Sequence, residues 1–447
     1  LLLAYYFVTW PPLIGLCWLG WALLALAQPR VGLGLAAALL PFYFQHKEVA
    51  LVDGMLAAPP ATVAVACLLP ALLAAAWRQR ARPAAVDWAA AALLGLSLLA
   101  ALDAWHWPAY WRGLATLVLT PLGLWSGVRL LARDEGSLRR LAGWLAAGGV
   151  AAALWGLFAW LQGSGVDADG VQRLVGPHFS PNHTALYLER TLFVALGLAL
   201  AASRRPRLAW LGASLAVLAA LLLTGSRGAW SGLLAGLALM ALLALRRRPA
   251  LGRLLRWRRR AALWAGAAVG AGLLALAFWQ WERLFNWQTV LLRGELWLAA
   301  LALWQAHPWL GVGPGGFFWS YPAFLPPGPG IEPNQLHPHN FWLELGVTWG
   351  VLGMLWLALL LAAAWRTRRR GARYPARAYW LATGLAAGLA AGLVHGQSDA
   401  FWLLADIAGW NAVAAALLIN LDWFAAMPGA GYNQNRSAAR VSGQISS

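Results

Sequence analysis

The chain is poor in charge. Asp, Glu, Lys and Arg make up 11% of its 447 residues, against about 25% in an ordinary soluble domain. That shortage, with 61% hydrophobic residues and a mean hydropathy of +0.60, excludes a water-soluble globular fold and reads as an all-α, polytopic helical membrane protein. Cysteine is nearly absent. Cys17 and Cys67 both sit inside apolar runs, so neither a disulfide framework nor a thiolate metal site is expected. Lys47 is the sole lysine. No P-loop, dinucleotide fingerprint or Gly-x-Ser-x-Gly elbow occurs. Asp103 stands alone in its loop, without the second Asp that a metal-dependent sugar transferase would present there. No cleavable signal peptide is visible. Leu1-Leu2-Leu3 opens in mid-run without a Met, and we expect sequence to precede it.

What is present is a series of apolar runs, each near the 20 or so residues that a hydrocarbon core requires, which predicts about 12–14 transmembrane helices. They lie near 12–28, 31–45 (short), 58–77, 86–102, 112–132, 138–162, 184–202, 207–224, 228–245, 261–281, 341–365, 378–397 and 401–421, with residues 1–10 ending an earlier one. No soluble linker interrupts them. Residues 1–424 are therefore expected to form a single integral membrane domain, with a large extracytoplasmic loop over 282–340 containing interfacial helices. The Gly/Ser/Asn/Gln-rich segment 425–447 is expected to be a disordered cytoplasmic tail.

The net charge of +18 is not spread evenly. Of the 33 arginines, 27 fall in alternate connections around Arg30, Arg78 to Arg82, Arg129 to Arg140, Arg204 to Arg207, Arg246 to Arg260, Arg366 to Arg377 and the tail. Such excess marks the cytoplasmic side and suits anionic membrane lipids, so no nucleic-acid partner is expected. The remaining Arg112, Arg173, Arg190, Arg227, Arg283 and Arg293 fall on or near the opposite side, as do all eight histidines. Arginines kept on a face that ordinarily lacks positive charge point to an anionic ligand.

Four places on that face carry candidate chemistry. In Thr224-Gly225-Ser226-Arg227-Gly228-Ala229-Trp230, Arg227 either snorkels to lipid phosphate or grips a diphosphate through paired hydrogen bonds while the glycines let it approach. Arg293 opens the apolar run 291–306, where helix-start N–H groups would add to an anion site; alternatively it pairs with Glu295 or Glu282. Seven residues separate His183 from Arg190 and Asn182 from Glu189, so each pair shares a helix face. Glu189 and Arg190 then line a polar cavity or pair structurally with another helix. His339 stands with Asn340 at the mouth of an apolar run. A neutral imidazole, with an unperturbed pKa of about 6.5, can take a proton from a hydroxyl nucleophile; a capping or loop role is the alternative. His337 lies two residues before it. A His-x-His pair also suggests zinc, but no Cys and no carboxylate nearer than Glu332 and Glu344 completes a set, so no metal site is expected. Gly311-x-Gly313-x-Gly315 reads as a hinge of turns.

Three of these features together resemble the O-antigen ligase/polymerase superfamily of bacterial membrane glycosyltransferases: His339-Asn340 with Gly350-x-x-Gly353 following, the Arg227 turn, and the outer loop from Arg293 through His307-Pro308-Trp309-Leu310-Gly311-Val312-Gly313-Pro314-Gly315-Gly316-Phe317. The resemblance covers roughly residues 180–365. It implies a metal-independent, inverting transferase in the inner membrane, without cofactor, acting at the periplasmic face. The donor would be a glycan on undecaprenyl diphosphate and the acceptor a sugar hydroxyl, either lipid A-core or the next glycan repeat. By the same resemblance His339 would be the base, with Arg227 and Arg293 the diphosphate clamps. The helix-face argument adds Arg190 as a clamp and Glu189 as a substitute base. His337, Asn340 and Arg283 are possible supporting residues. A protein O-oligosaccharyltransferase, a lipid-linked glycan flippase, a small-anion transporter and a structural scaffold are the alternatives.

Overall fold

The computed structural model describes residues 5, 7–51, 54–168, 170–246, 287–326, 334–367 and 374–426. The expected span 261–281, Arg283, and residues 427–447 of the expected tail lie outside the described residues. Among the described residues, ten helices are long and apolar enough to cross a membrane, and the protein is an all-α polytopic membrane protein. Two antiparallel hairpins are its only sheets there.

The chain begins with α1 (Pro11–Ala27) and α2 (Pro29–Ala38). A 3-10 turn and the hairpin β1 (Lys47–Leu51) and β2 (Gly54–Ala58) follow. The expected span 31–45 is thereby corrected. Its helix has 10 residues, about 15 Å at the usual rise and half a hydrocarbon core. Pro41 falls in the 3-10 turn that succeeds it, where a ring without an N–H cannot continue the helical ladder.

Next come α3 (Pro60–Gln79), α4 (Ala85–Leu99), α5 (Trp107–Leu131, with a π-turn at Leu114–Leu119) and α6 (Glu135–Leu161). The hairpin β3 (Val166–Ala168) and β4 (Val171–Arg173) leads to α7 (Pro181–Ala201), α8 (Arg204–Leu223) and α9 (Arg227–Arg246). Beyond lie α10 (Trp287–Ala306), α11 (Phe317–Ser320), α12 (Phe341–Thr367), α13 (Ala376–His395) and α14 (Ala405–Ala426).

Local chemistry sets several helix starts. Asp134 Oδ1 accepts from the Ser137 N–H at 2.8 Å, and Ser180 Oγ accepts from the His183 N–H at 3.1 Å; each satisfies a donor that the first turn leaves orphaned. In lipid, helices associate through small residues that let backbones approach. The innermost helix, α7, packs on α13 in this way: a methyl group added at Gly384 would stand 2.9 Å from the Gly197 Cα.

Polar fasteners hold one end of the bundle. Asp87 takes a forked pair from Arg129 at 2.8 and 3.2 Å, Arg129 also reaches Asn420, and Asn420 donates to the carbonyls of Val128 and Ala132. Arg30 meets Asp134 at that end. The buried histidines gather at the other.

Candidate active site

The site grows from the start of α12. Asn340 is its cap: the side-chain oxygen accepts from the N–H groups of Trp342 and Leu343 at 3.0 and 3.2 Å, while its amide donates to the Gln397 carbonyl. The Phe341 N–H reaches Gly396 O at 2.8 Å. One turn on, buried Glu344 accepts from the N–H groups of Phe401 and Trp402. These bonds tie the connection between α13 and α14 against the mouth of α12, and so bring Asp399 up to the two histidines.

His339 Nδ1 lies 3.3 Å from Asp399 Oδ1, and His339 Nε2 lies 3.1 Å from Gln335 Oε1. The imidazole is 20% exposed and the carboxylate 3%, so a reachable ring is backed by a buried charge. His339 also has φ +51°, a left-handed conformation that costs a residue bearing a Cβ of order 1–3 kcal/mol and concentrates at functional sites. His337 is buried behind it, 3.8 Å from the same Asp399 oxygen, and accepts the His339 N–H on Nδ1. Burial, then the charge of His339, push the His337 imidazole well below its ordinary range; His183 and Arg293 act the same way, and Asp399 opposes. Burial alone would raise Asp399, but the charge of His339, 3.3 Å away, outweighs it and, with the charges of His337 and His395, holds its carboxyl well below the usual carboxylate range.

The spacing from His339 to Gly350 also has a structural origin. Gly350 breaks α12 with φ +61°, and the glycine-rich loop plugs the break. Pro308 O and Trp309 O accept from the N–H groups of Val351 and Leu352, while the N–H groups of Val312 and Gly313 donate to Val347 O and Thr348 O. Irregular backbone at membrane depth persists where protein satisfies it in this way. Gly311, at φ +64°, passes so close that a Cβ would stand 2.5 Å from the Thr348 backbone. The expected hinge is a docked plug.

Arg227 is the first residue of α9, half-buried, directly after the turn at Gly225 (φ +60°). Arg173 props that turn by donating to Thr224 O at 2.6 Å and to Asn182 Oδ1 at 2.7 Å. Ser226 Oγ lies 3.4 Å from His395 Nε2, and His395 Nδ1 lies 3.0 Å from Glu189 Oε2. His395 ends α13, four residues before Asp399, so the arginine turn and the His339–Asp399 pair border the same connection. Arg293, half-buried on α10, lies near enough for its charge to act on His337. Arg227, Arg293, His337 and His339 therefore share one end of the bundle.

Of the two places expected for Arg190 and Glu189, the structure shows pairing with other helices, through Asn411 on α14 and His395 on α13. Arg190 is fully buried. It donates to Leu186 O at 2.6 Å, pairs with Glu189 and Asn411 at 3.3 and 3.4 Å, and covers the Phe401 ring; Gly392 closes over it. Glu189, also fully buried, is shared between Arg190 and His395. Both side chains are thereby engaged inside the bundle, with Arg190 Nη2 the nitrogen left without a hydrogen-bond partner.

Three acidic groups were missed. Asp399 supplies the carboxylate that sequence proximity to His337 and His339 did not offer, and the three make one cluster of possible metal ligands. His178, His183 and Asp406 make another. Glu344 holds the connection between α13 and α14. The Gln397-Ser398-Asp399 interruption between two apolar runs was the available signal for Asp399.

The fold and this end of it define a class: a multi-pass membrane protein with a histidine–carboxylate pair and arginines gathered at one end of its bundle. Residues 212–358, from within α8 to within α12, match the family model described as O-Antigen ligase. The match supports placing the chain in the O-antigen ligase/polymerase superfamily. That family implies a membrane glycosyltransferase with lipid-linked glycan substrates in general. Comparison with curated proteins gives no match. The matched segment contains Arg227, Arg293, His337 and His339, and stops short of Asp399.

Proposed function

We propose that the chain transfers a glycan from undecaprenyl diphosphate to an acceptor sugar hydroxyl, as an O-antigen ligase or polymerase, at the periplasmic face of the inner membrane. The observation that carries the reading is the His339–Asp399 pair standing at the same end as Arg227 and Arg293. Once an acceptor hydroxyl displaces Gln335, the tautomer with its proton on Nδ1, the nitrogen 3.3 Å from Asp399, presents an Nε2 lone pair, and the hydroxyl would give up its proton there. The freed oxygen attacks the anomeric carbon opposite the diphosphate. The carbon–oxygen bond to the diphosphate breaks with its electron pair, and the anomeric centre inverts. Asp399 steadies the imidazolium that forms. Arg227 and Arg293 take up the charge on undecaprenyl diphosphate as it leaves, so the displacement itself calls for no metal. Arg190 and Glu189 belong to the scaffold beneath.

Orientation rests on the arginine-rich connections, of which the described ones lie away from the histidine end. A carrier is the second reading, favoured by the break in α12, because transporters bind cargo at interrupted helices. The loop plugging that break weighs against it. Vesicles holding the purified protein, with lipid-diphosphate glycan and acceptor on the same side, separate the two. Coupled product in one compartment is the expected result. Movement of intact donor across the bilayer without coupling would overturn the transferase.

A further inference from the structure

A second group of donors, from positions 178, 183 and 406, converges without a role in the chemistry above. His178 lies in the connection from β4 to α7, His183 in the first turn of α7, and Asp406 in the first turn of α14. All three are buried. His183 Nε2 stands 2.8 Å from each Asp406 oxygen, and His178 Nε2 stands 3.4 Å from Oδ2. The two rings are 4.7 Å apart.

Hydrogen bonding leaves this cluster incomplete. Neither ring nitrogen of His178 makes a well-formed hydrogen bond, and His183 Nδ1 makes none. Tyr187, one turn along α7 with its ring 5.6 Å from His178, has a buried hydroxyl equally without a partner. Buried polar atoms are ordinarily satisfied, and a bound ion is one reason that they lack partners within the protein. The His183–Asp406 and His178–Asp406 approaches, 2.8 and 3.4 Å, lie either side of the ligand edge of a tetrahedral Zn2+ site, about 3.3 Å for bonds near 2.0–2.1 Å, and one ligand atom from each residue lies within 4.8 Å of the others.

We propose that His178, His183 and Asp406 bind one Zn2+ ion, with Tyr187 or a water as fourth ligand, joining the loop before α7 to the start of α14. The ion would be structural. It ties down the element that follows the Asp399-bearing connection. The proposal does not depend on the transferase reading.

The full-length protein, purified in detergent and stripped with a chelator, is titrated with Zn2+ and then desalted for elemental analysis. About one ion per chain is expected, with a rise in thermal midpoint on rebinding. Co2+ used in place of Zn2+ should give the intense visible bands of a tetrahedral site in the wild-type chain, which needs no variant to fold. His178→Gln removes a ligand and should weaken binding by more than the roughly 100-fold that losing a group behind a ligand can cost, while His337→Gln should leave it intact. Absence of tetrahedral Co2+ bands, unchanged retention in His178→Gln, or loss in His337→Gln alone would overturn the assignment; the last would move the ion to His337, His339 and Asp399.

Discussion

Replacing Asp399 with Asn keeps the size of the side chain and removes its charge. At 3.3 Å from His339 Nδ1, that charge attracts an imidazolium by about 5 kcal/mol at an effective dielectric near 20. In the proposed mechanism an imidazolium forms as His339 takes the acceptor's proton, so the loss falls on the transition state. A well-placed base contributes about 10²–10⁴-fold, and removing the acid behind a catalytic His costs up to about 10⁴. We expect kcat for glycan transfer to drop by about 10²–10⁴, with donor KM nearly unchanged. The assay is steady-state transfer between purified donor and acceptor, alongside thermal unfolding to confirm that the variant is folded. The charge should also show in stability. Because the folded protein holds the Asp399 carboxyl below its usual range, the residue stabilises the fold above the unfolded value of about 3.9. That contribution disappears as pH falls through the folded value. Asp399→Asn should therefore lose less stability than wild type on acidification below about pH 4. A folded Asp399→Asn protein transferring at the wild-type rate would refute the reasoning.

Arg227→Ala and Arg293→Ala should each raise donor KM by about 10- to 100-fold, as expected for charge-assisted hydrogen bonds worth about 1.5–3 kcal/mol. Direct binding of undecaprenyl diphosphate checks this. Arg190→Ala should leave donor KM unchanged in the folded fraction while lowering stability by up to about 3–5 kcal/mol, because buried Glu189 keeps His395 but loses its guanidinium partner; unfolding in detergent measures it. Gly350→Ala would drive a Cβ into the Trp309 carbonyl at a positive φ, and should cost at least about 1–3 kcal/mol, read as a lowered thermal midpoint or lost expression.

Most of the spans were legible because a run of apolar residues long enough to cross lipid admits few other structures. Where the run was short the reading failed: at 31–45 it saw apolar residues and undervalued Pro29 and Pro41. The hairpins at 47–58 and 166–173 have no strong alternation to announce them. His339 was recognisable because an imidazole beside a cap residue at the mouth of a long apolar helix is conspicuous. Its partner was not, because the fold alone brings Asp399 beside a residue 60 positions earlier. The seven-residue spacing on α7 did place His183 and Arg190 on one face. That face packs against α14, where His183 meets Asp406 and Arg190 meets Asn411. Periodicity identifies a shared face and leaves open whether a cavity or another helix lies against it.

The most direct test is a single-turnover measurement with purified, folded His339→Ala at saturating donor and acceptor. The proposed mechanism predicts transfer slowed by about 10²–10⁴-fold while donor still binds. Transfer at the wild-type rate would contradict it, and with it the role given to the pair that His339 forms with Asp399.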